Sequence, residues 1–154
     1  MAETRLDLSP ALREKSIGLL GPALAGATDL MLSTKEAHWN VKGPNFIALH
    51  QLFDAFNAEM GGHVDNLAER IVQLGGQAHG TLRAAAKSSP LPAYPEGLAQ
   101  AADHLRSLAA QTGALGALVR KGIEEAGQDL DTADLFTEVS RALDKQLWFI
   151  EAHL

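Results

Sequence analysis

Apolar positions along the 154-residue chain recur at helical rather than strand spacing, most clearly between Phe46 and Leu74. There Phe46, Leu49, Phe53, Phe56, Met60, Val64, Leu67, Ile71 and Leu74 gather on one face of a helix turning about 100° per residue. Three other stretches share the period. The first opens at Ser9-Pro10, an N-cap followed by a residue preset for the first turn, and runs to His38; at Gly21-Pro22 the helix either kinks, the preferred reading, or starts properly only after the proline. The third runs from about Glu96 to Ala126 and stops at Gly127. The fourth opens at Asp131-Thr132-Ala133-Asp134, read as a capping box, and continues to about Ala152. No segment sustains period-two alternation, so the expected fold class is all-α.

The connections differ in kind. Asn40 to Asn45 is a tight turn that makes the first two helices antiparallel neighbours, and Gly75-Gly76 ends the second. Residues 77–95 carry Gly80, Pro90, Pro92 and Pro95 around a short Ala-rich piece, Thr81 to Lys87, with helical character. That segment is longer than a hairpin between adjacent helices needs and serves as a crossover. The expected architecture is a four-helix bundle in one domain, residues 1–154, whose long second-to-third crossover contains a short helix.

The second helix also carries a polar stripe. With His50 at 0°, Asp54 falls near 40°, Asp65 near 60° and Glu69 near 100°, while the apolar face lies between about −40° and −120°. Carboxylates and imidazoles so arranged are donors for first-row divalent metals. Asp54 and Asp65 are about 16 Å apart along the helix, so one copy cannot gather all four. Two copies packed antiparallel about a twofold axis can, because His50 pairs with Glu69 and Asp54 with Asp65 about the same centre, between Glu59 and Met60. At that centre the stripe holds Ala58, Gly61 and Gly62. Glycine in mid-helix costs about 1 kcal/mol against alanine, and close approach of two backbones supplies a reason for it. A solvated polar face accounts equally well for either acidic pair alone. The tight turn places His38 beside His50 as a further ligand. His63, near −140°, lies off the stripe and is read as surface or packing.

Composition narrows the function. Hydrophobic residues make up 46% of the chain and aromatic residues 5%, with alanine and leucine prominent, which suits helices. The absence of cysteine excludes disulfides, thiolate metal sites and cysteine catalysis, and fits a cytoplasmic protein. No apolar leader core and no run of membrane-spanning length is expected. A net charge of −6 and the lack of a Lys/Arg cluster argue against a nucleic-acid binder working by bulk electrostatics.

Lys35-Glu36-Ala37-His38-Trp39-Asn40-Val41-Lys42-Gly43-Pro44-Asn45-Phe46, the His50-x-x-x-Asp54 pair, and Asp65-x-x-x-Glu69-Arg70 leading to Gly75-Gly76 closely resemble the Dps family. These are the ferritin-like mini-ferritins named for DNA protection during starvation. Asp131-Thr132-Ala133-Asp134 and Leu147-Trp148-Phe149-Ile150-Glu151 extend the resemblance over nearly the whole chain. It implies a hollow homo-dodecamer that oxidises Fe(II) to Fe(III), preferentially with hydrogen peroxide, and stores ferric mineral. Its catalytic and metal residues would be His38, His50 and Asp54 of one subunit with Asp65 and Glu69 of its partner. The Glu-x-x-His motif by which other ferritin-like proteins build a di-iron site within one bundle is absent, in keeping with a shared site. Trp39 matches a tryptophan kept beside the centre, either for packing or as an electron donor. Asp129, Asp131 and Asp134 resemble residues lining the family's threefold iron pores, although helix capping explains Asp131 equally well. Members that bind DNA often use a lysine-rich tail, and Met1 to Leu8 offers one Arg against Glu3 and Asp7. An iron-oxidising storage enzyme is therefore favoured over a DNA-compacting, nucleoid-associated protein.

Overall fold

The computed structural model describes residues 2–154, and it is helical: α1 Pro10–Asn40, α2 Phe46–Gln73, α3 Leu82–Ser88, α4 Ala101–Ala126 and α5 Leu130–Glu151. The Ser9 hydroxyl accepts from the Leu12 amide and opens α1 just ahead of Pro10. The helix stays continuous through Pro22, which is itself exposed while Leu20, Ala23 and Leu24 beside it are buried. One 18-residue window of α1 reaches a mean hydropathy of 1.2, more apolar than anticipated. Of that window 56% is buried in the bundle, the role of a core helix.

Each long helix contributes a stripe to one core: Leu20, Leu24 and Leu30 from α1, Phe53, Phe56, Met60 and Leu67 from α2, Leu105, Leu108, Leu115 and Val119 from α4, and Phe136, Val139, Leu143 and Ile150 from α5. A fully buried side chain of this size contributes about 1.5–3 kcal/mol. α1 packs closely on α2 and α4 on α5, whereas α2 and α5 approach one another less closely. Gly122 permits the α4–α5 contact, since a Cβ there would lie 2.8 Å from the Phe136 ring.

Two boundaries depart from the sequence reading. α4 starts at Ala101 rather than near Glu96, because Gly97 turns with φ +75° and the Lys42 amide bonds the Ala99 carbonyl, holding Lys42 and Gln100 in an isolated parallel bridge. The cap of α5 is Asp129, not Asp131: the Asp129 carboxylate accepts from the Thr132 amide at 3.2 Å, while the Asp131 side chain is 87% exposed. The crossover does contain a short helix, α3, capped by Thr81.

Candidate metal centre

His38 lies in the last turn of α1 and His50 in the second turn of α2, joined by the short Val41–Asn45 connection. Their rings stack with centroids 3.7 Å apart and planes 21° apart. The hydrogen bonds are reciprocal. His38 Nδ1 lies 2.8 Å from the His50 carbonyl, and His50 Nδ1 lies 2.8 Å from the His38 carbonyl. A carbonyl can only accept, so each Nδ1 carries a proton, and in the neutral ring that leaves Nε2 its lone pair. Both imidazoles are thereby held in fixed orientation with Nε2 as the free nitrogen, the arrangement that metal-binding histidines need.

Asp54 stands one turn beyond His50, with Oδ1 3.9 Å from His38 Nε2. The same oxygen accepts from Lys35 Nζ at 2.5 Å. That hydrogen bond, together with the charge of Lys35, outweighs desolvation and holds the Asp54 carboxyl below the usual carboxylate range. Lys35 is the functional neighbour that sequence reasoning missed. Its signal was its position one turn before His38, on the α1 flank that faces α2.

Asp65 and Glu69 do not join this group within one chain. Both are exposed on the continuation of the same α2 flank, about three and about four turns beyond Asp54. Among the described residues no three His, Asp or Glu side chains of a single chain are arranged to hold a metal. The chain therefore holds the five candidate donors in two separate groups. Gly61 and Gly62, midway between them, have little or nothing of their own chain against them: a Cβ at Gly61 would meet only Met31 Sδ at 3.9 Å, and one at Gly62 would meet nothing. Trp39, Phe46 and Ile47 near the first group are 66%, 40% and 60% exposed, so the described residues of the same chain leave most of Trp39 uncovered.

The opposite flank of α2 is closed. Arg70, adjacent to Glu69, donates from Nη2 to Asp129 Oδ1 at 2.7 Å and from Nε to Thr132 Oγ1 at 3.0 Å, and Thr132 Oγ1 donates to Asp129 Oδ2 at 2.7 Å. Burial alone would raise the Asp129 carboxyl, but the nearby Ser16 hydroxyl, both Thr132 donors and the Arg70 guanidinium outweigh it and hold the group low. Asp129 is 1% exposed and committed to this network, so it cannot line a pore; Asp131 and Asp134 remain exposed at the start of α5. His63 is not a surface residue. It is 6% exposed, and neither ring nitrogen has a partner.

Comparison with known proteins places this arrangement. A model of the ferritin-like domain matches residues 17–154. The DNA protection during starvation protein of Agrobacterium fabrum is 46% identical over 154 residues, covering 99% of this chain and 95% of that protein. Among solved structures, Mycobacterium smegmatis Dps superposes with a TM-score of 0.94 at 34% identity, covering 99% of this chain and 94% of that one. Dps from Microbacterium arborescens, solved in a high iron form, gives 0.89 at 32% identity over 96% and 97% of the two chains. A helical bundle whose identity with these proteins runs across almost its full length is not sharing architecture alone, and the chain belongs to the Dps family of ferritin-like proteins.

Proposed function

We propose that this protein is a ferroxidase and iron-storage mini-ferritin, with each oxidation centre shared by two chains: His38, His50 and Asp54 from one, and the partner's Asp65 and Glu69 from the other. The observation that carries the reading is the reciprocal histidine pair, which presents two Nε2 lone pairs beside Asp54 on an α2 flank that its own chain leaves open. An antiparallel twofold contact centred between Glu59 and Met60 brings the second group opposite the first, with Gly61 and Gly62 allowing the backbones to approach. Family membership supports the iron reading, as does the high iron form of the Microbacterium arborescens relative.

Iron is substrate here. Two Fe(II) ions give up one electron each, the O–O bond of hydrogen peroxide breaks, and two protons complete two waters, leaving two Fe(III). The neutral imidazoles accept either oxidation state, while Asp54 and the partner's two carboxylates favour the more highly charged product. Entry of Fe(II) displaces Lys35 from Asp54, exchanging one cation for another. Twelve such chains close into a hollow shell in the cytoplasm, each acting as a single ferritin-like domain. Asp131 and Asp134 offer carboxylates at the exposed start of α5, where iron could be drawn in.

The shared centre is tested by mixing. A His50→Ala/Asp54→Ala variant and an Asp65→Ala/Glu69→Ala variant, each inactive, regain peroxide-driven Fe(II) oxidation under conditions of subunit exchange, because one centre of every mixed pair carries no lesion. If labelled subunits are seen to exchange and no activity returns, the centre is not shared.

DNA compaction is the weaker reading. Twelve chains of −6 each carry a formal charge of about −72, which repels phosphates. DNA mobility in a gel is expected to be unchanged at about 0.15 M salt, while DNA is still protected from iron and peroxide together. A retarded band at that salt would point instead to Arg5, Arg13 and Lys15 gathered by assembly.

A further inference from the structure

We propose that Glu59, His63 and Gln146 form a divalent-cation site inside each chain, in the seam between α2 and α5 and separate from the shared centre. Glu59 and His63 are one turn apart on α2, near 180° and −140° on the wheel that places His50 at 0°, and so face away from the ligand stripe. Across the seam Gln146 Nε2 donates to Glu59 Oε2 at 2.5 Å. That bond fixes α5 over Glu59 and leaves the other Glu59 oxygen and Gln146 Oε1 open.

The seam has two polar rungs, and they differ in completeness. In the rung at Arg70, both Asp129 oxygens, the Thr132 hydroxyl and two guanidinium nitrogens all find partners. In the rung at Glu59, His63 is 6% exposed and Gln146 5%, yet His63 Nδ1, His63 Nε2 and Gln146 Oε1 are sealed from solvent with no hydrogen bond. Buried polar atoms are rarely left so, and three of them in one rung point to something absent from the protein itself. Whatever fills it must satisfy an imidazole lone pair, an amide oxygen and a carboxylate oxygen. All three are acceptors toward a cation, and together they form a borderline donor set suited to Fe(II), Co(II) or Zn(II). Partly exposed Glu59 provides the anionic mouth, with His63 and Gln146 behind it. The His50-x-x-x-Asp54 pair on the other flank uses the same one-turn spacing of imidazole and carboxylate.

The test removes the shared centre first, so it does not depend on the ferroxidase reading. A His50→Ala/Asp54→Ala/Asp65→Ala/Glu69→Ala background, checked for unchanged assembly, is titrated with Co(II) in the absence of oxygen, reading visible absorption and metal retained on dialysis. One Co(II) per chain with a nitrogen-ligated spectrum is expected. Adding Glu59→Gln keeps a partner for Gln146 but removes the anionic ligand, and should weaken retention by about tenfold or more, at least the effect of losing a supporting hydrogen bond. His63→Gln should abolish the nitrogen signature; should it fail to fold, Glu59→Gln alone decides. No retained Co(II) in the background variant means that the rung holds only water, and overturns the proposal. So does retention that Glu59→Gln leaves unchanged, because the metal then sits elsewhere, as on the acidic start of α5.

Discussion

The two flanks of α2 carry charged residues one position apart and use them in opposite ways. Asp54, Asp65 and Glu69 stand exposed on one flank, short of a complete donor set within their own chain. Arg70, the next residue after Glu69, turns to the other flank and is buried against Asp129 and Thr132 with its partners in place. The first flank leaves its charges exposed within one chain, as the proposed shared centre requires; the second flank has its charges paired and fixes α2 to α5. The difference lies in whether an element of the same chain covers the charges.

The largest effect expected from breaking this division is on chemistry alone. Asp65→Ala/Glu69→Ala should lower peroxide-driven Fe(II) oxidation by about 100-fold or more, while the urea midpoint moves by no more than about 0.5 kcal/mol equivalent. Stopped-flow absorbance and a denaturation curve on the same preparation check both halves. A large stability loss would mean that the stripe is structural.

Asp129→Ala is the converse. It leaves the Arg70 guanidinium buried without its counter-charge and should cost about 3–5 kcal/mol, read as a lower urea midpoint, with iron chemistry retained in whatever fraction stays folded. Acid sharpens the contrast. Asp129 is held below its ordinary value, so its contribution is complete above about pH 4, the unfolded value, and is lost as pH falls through the lower folded one. The isosteric Asp129→Asn variant should be less stable near neutrality and lose less stability below about pH 4. Parallel pH profiles for the two proteins would remove Asp129 from the account.

How far the sequence reached follows from which interactions are local. The helical period of Phe46 to Leu74 and the i, i+4 spacing of His50 and Asp54 are properties of one element, and both can be read without a fold. The tight turn between α1 and α2 also placed His38 beside His50, as the stacked rings have it. What failed depended on partners distant in sequence. Asp129 and Asp131 are equivalent as local caps, and only Arg70, 59 residues from Asp129, selects the first. Glu96 resembles a helix start until Lys42 pairs with the chain near Gln100 and holds it extended. His63 sits off the ligand stripe at an angle open to solvent or core alike, and only the fold, which buries it, decides the matter. Asp65 and Glu69 lie beyond even the single-chain fold, because in the proposed shared centre their complement is a second copy.

The smallest effect expected is at Lys35, where the open flank is partly closed by its own chain. Lys35 Nζ sits on Asp54 Oδ1, the oxygen nearest His38 Nε2, so the ammonium occupies one of the positions that a metal would take. Lys35→Met keeps the length of the stem and removes both the competing hydrogen bond and the positive charge. The two side chains are 31% and 54% exposed, which places their attraction among weak surface pairs, so anaerobic Fe(II) binding should tighten by no more than about fivefold. The gain should shrink at about 1 M salt, where screening weakens the pair in the parent protein. Oxidation by peroxide should begin at a lower Fe(II) concentration and reach a similar maximal rate, since the donor atoms are untouched. If Lys35→Met binds Fe(II) more weakly at both salt concentrations, the ammonium is orienting Asp54 rather than competing for it, and this flank is partly pre-formed within one chain.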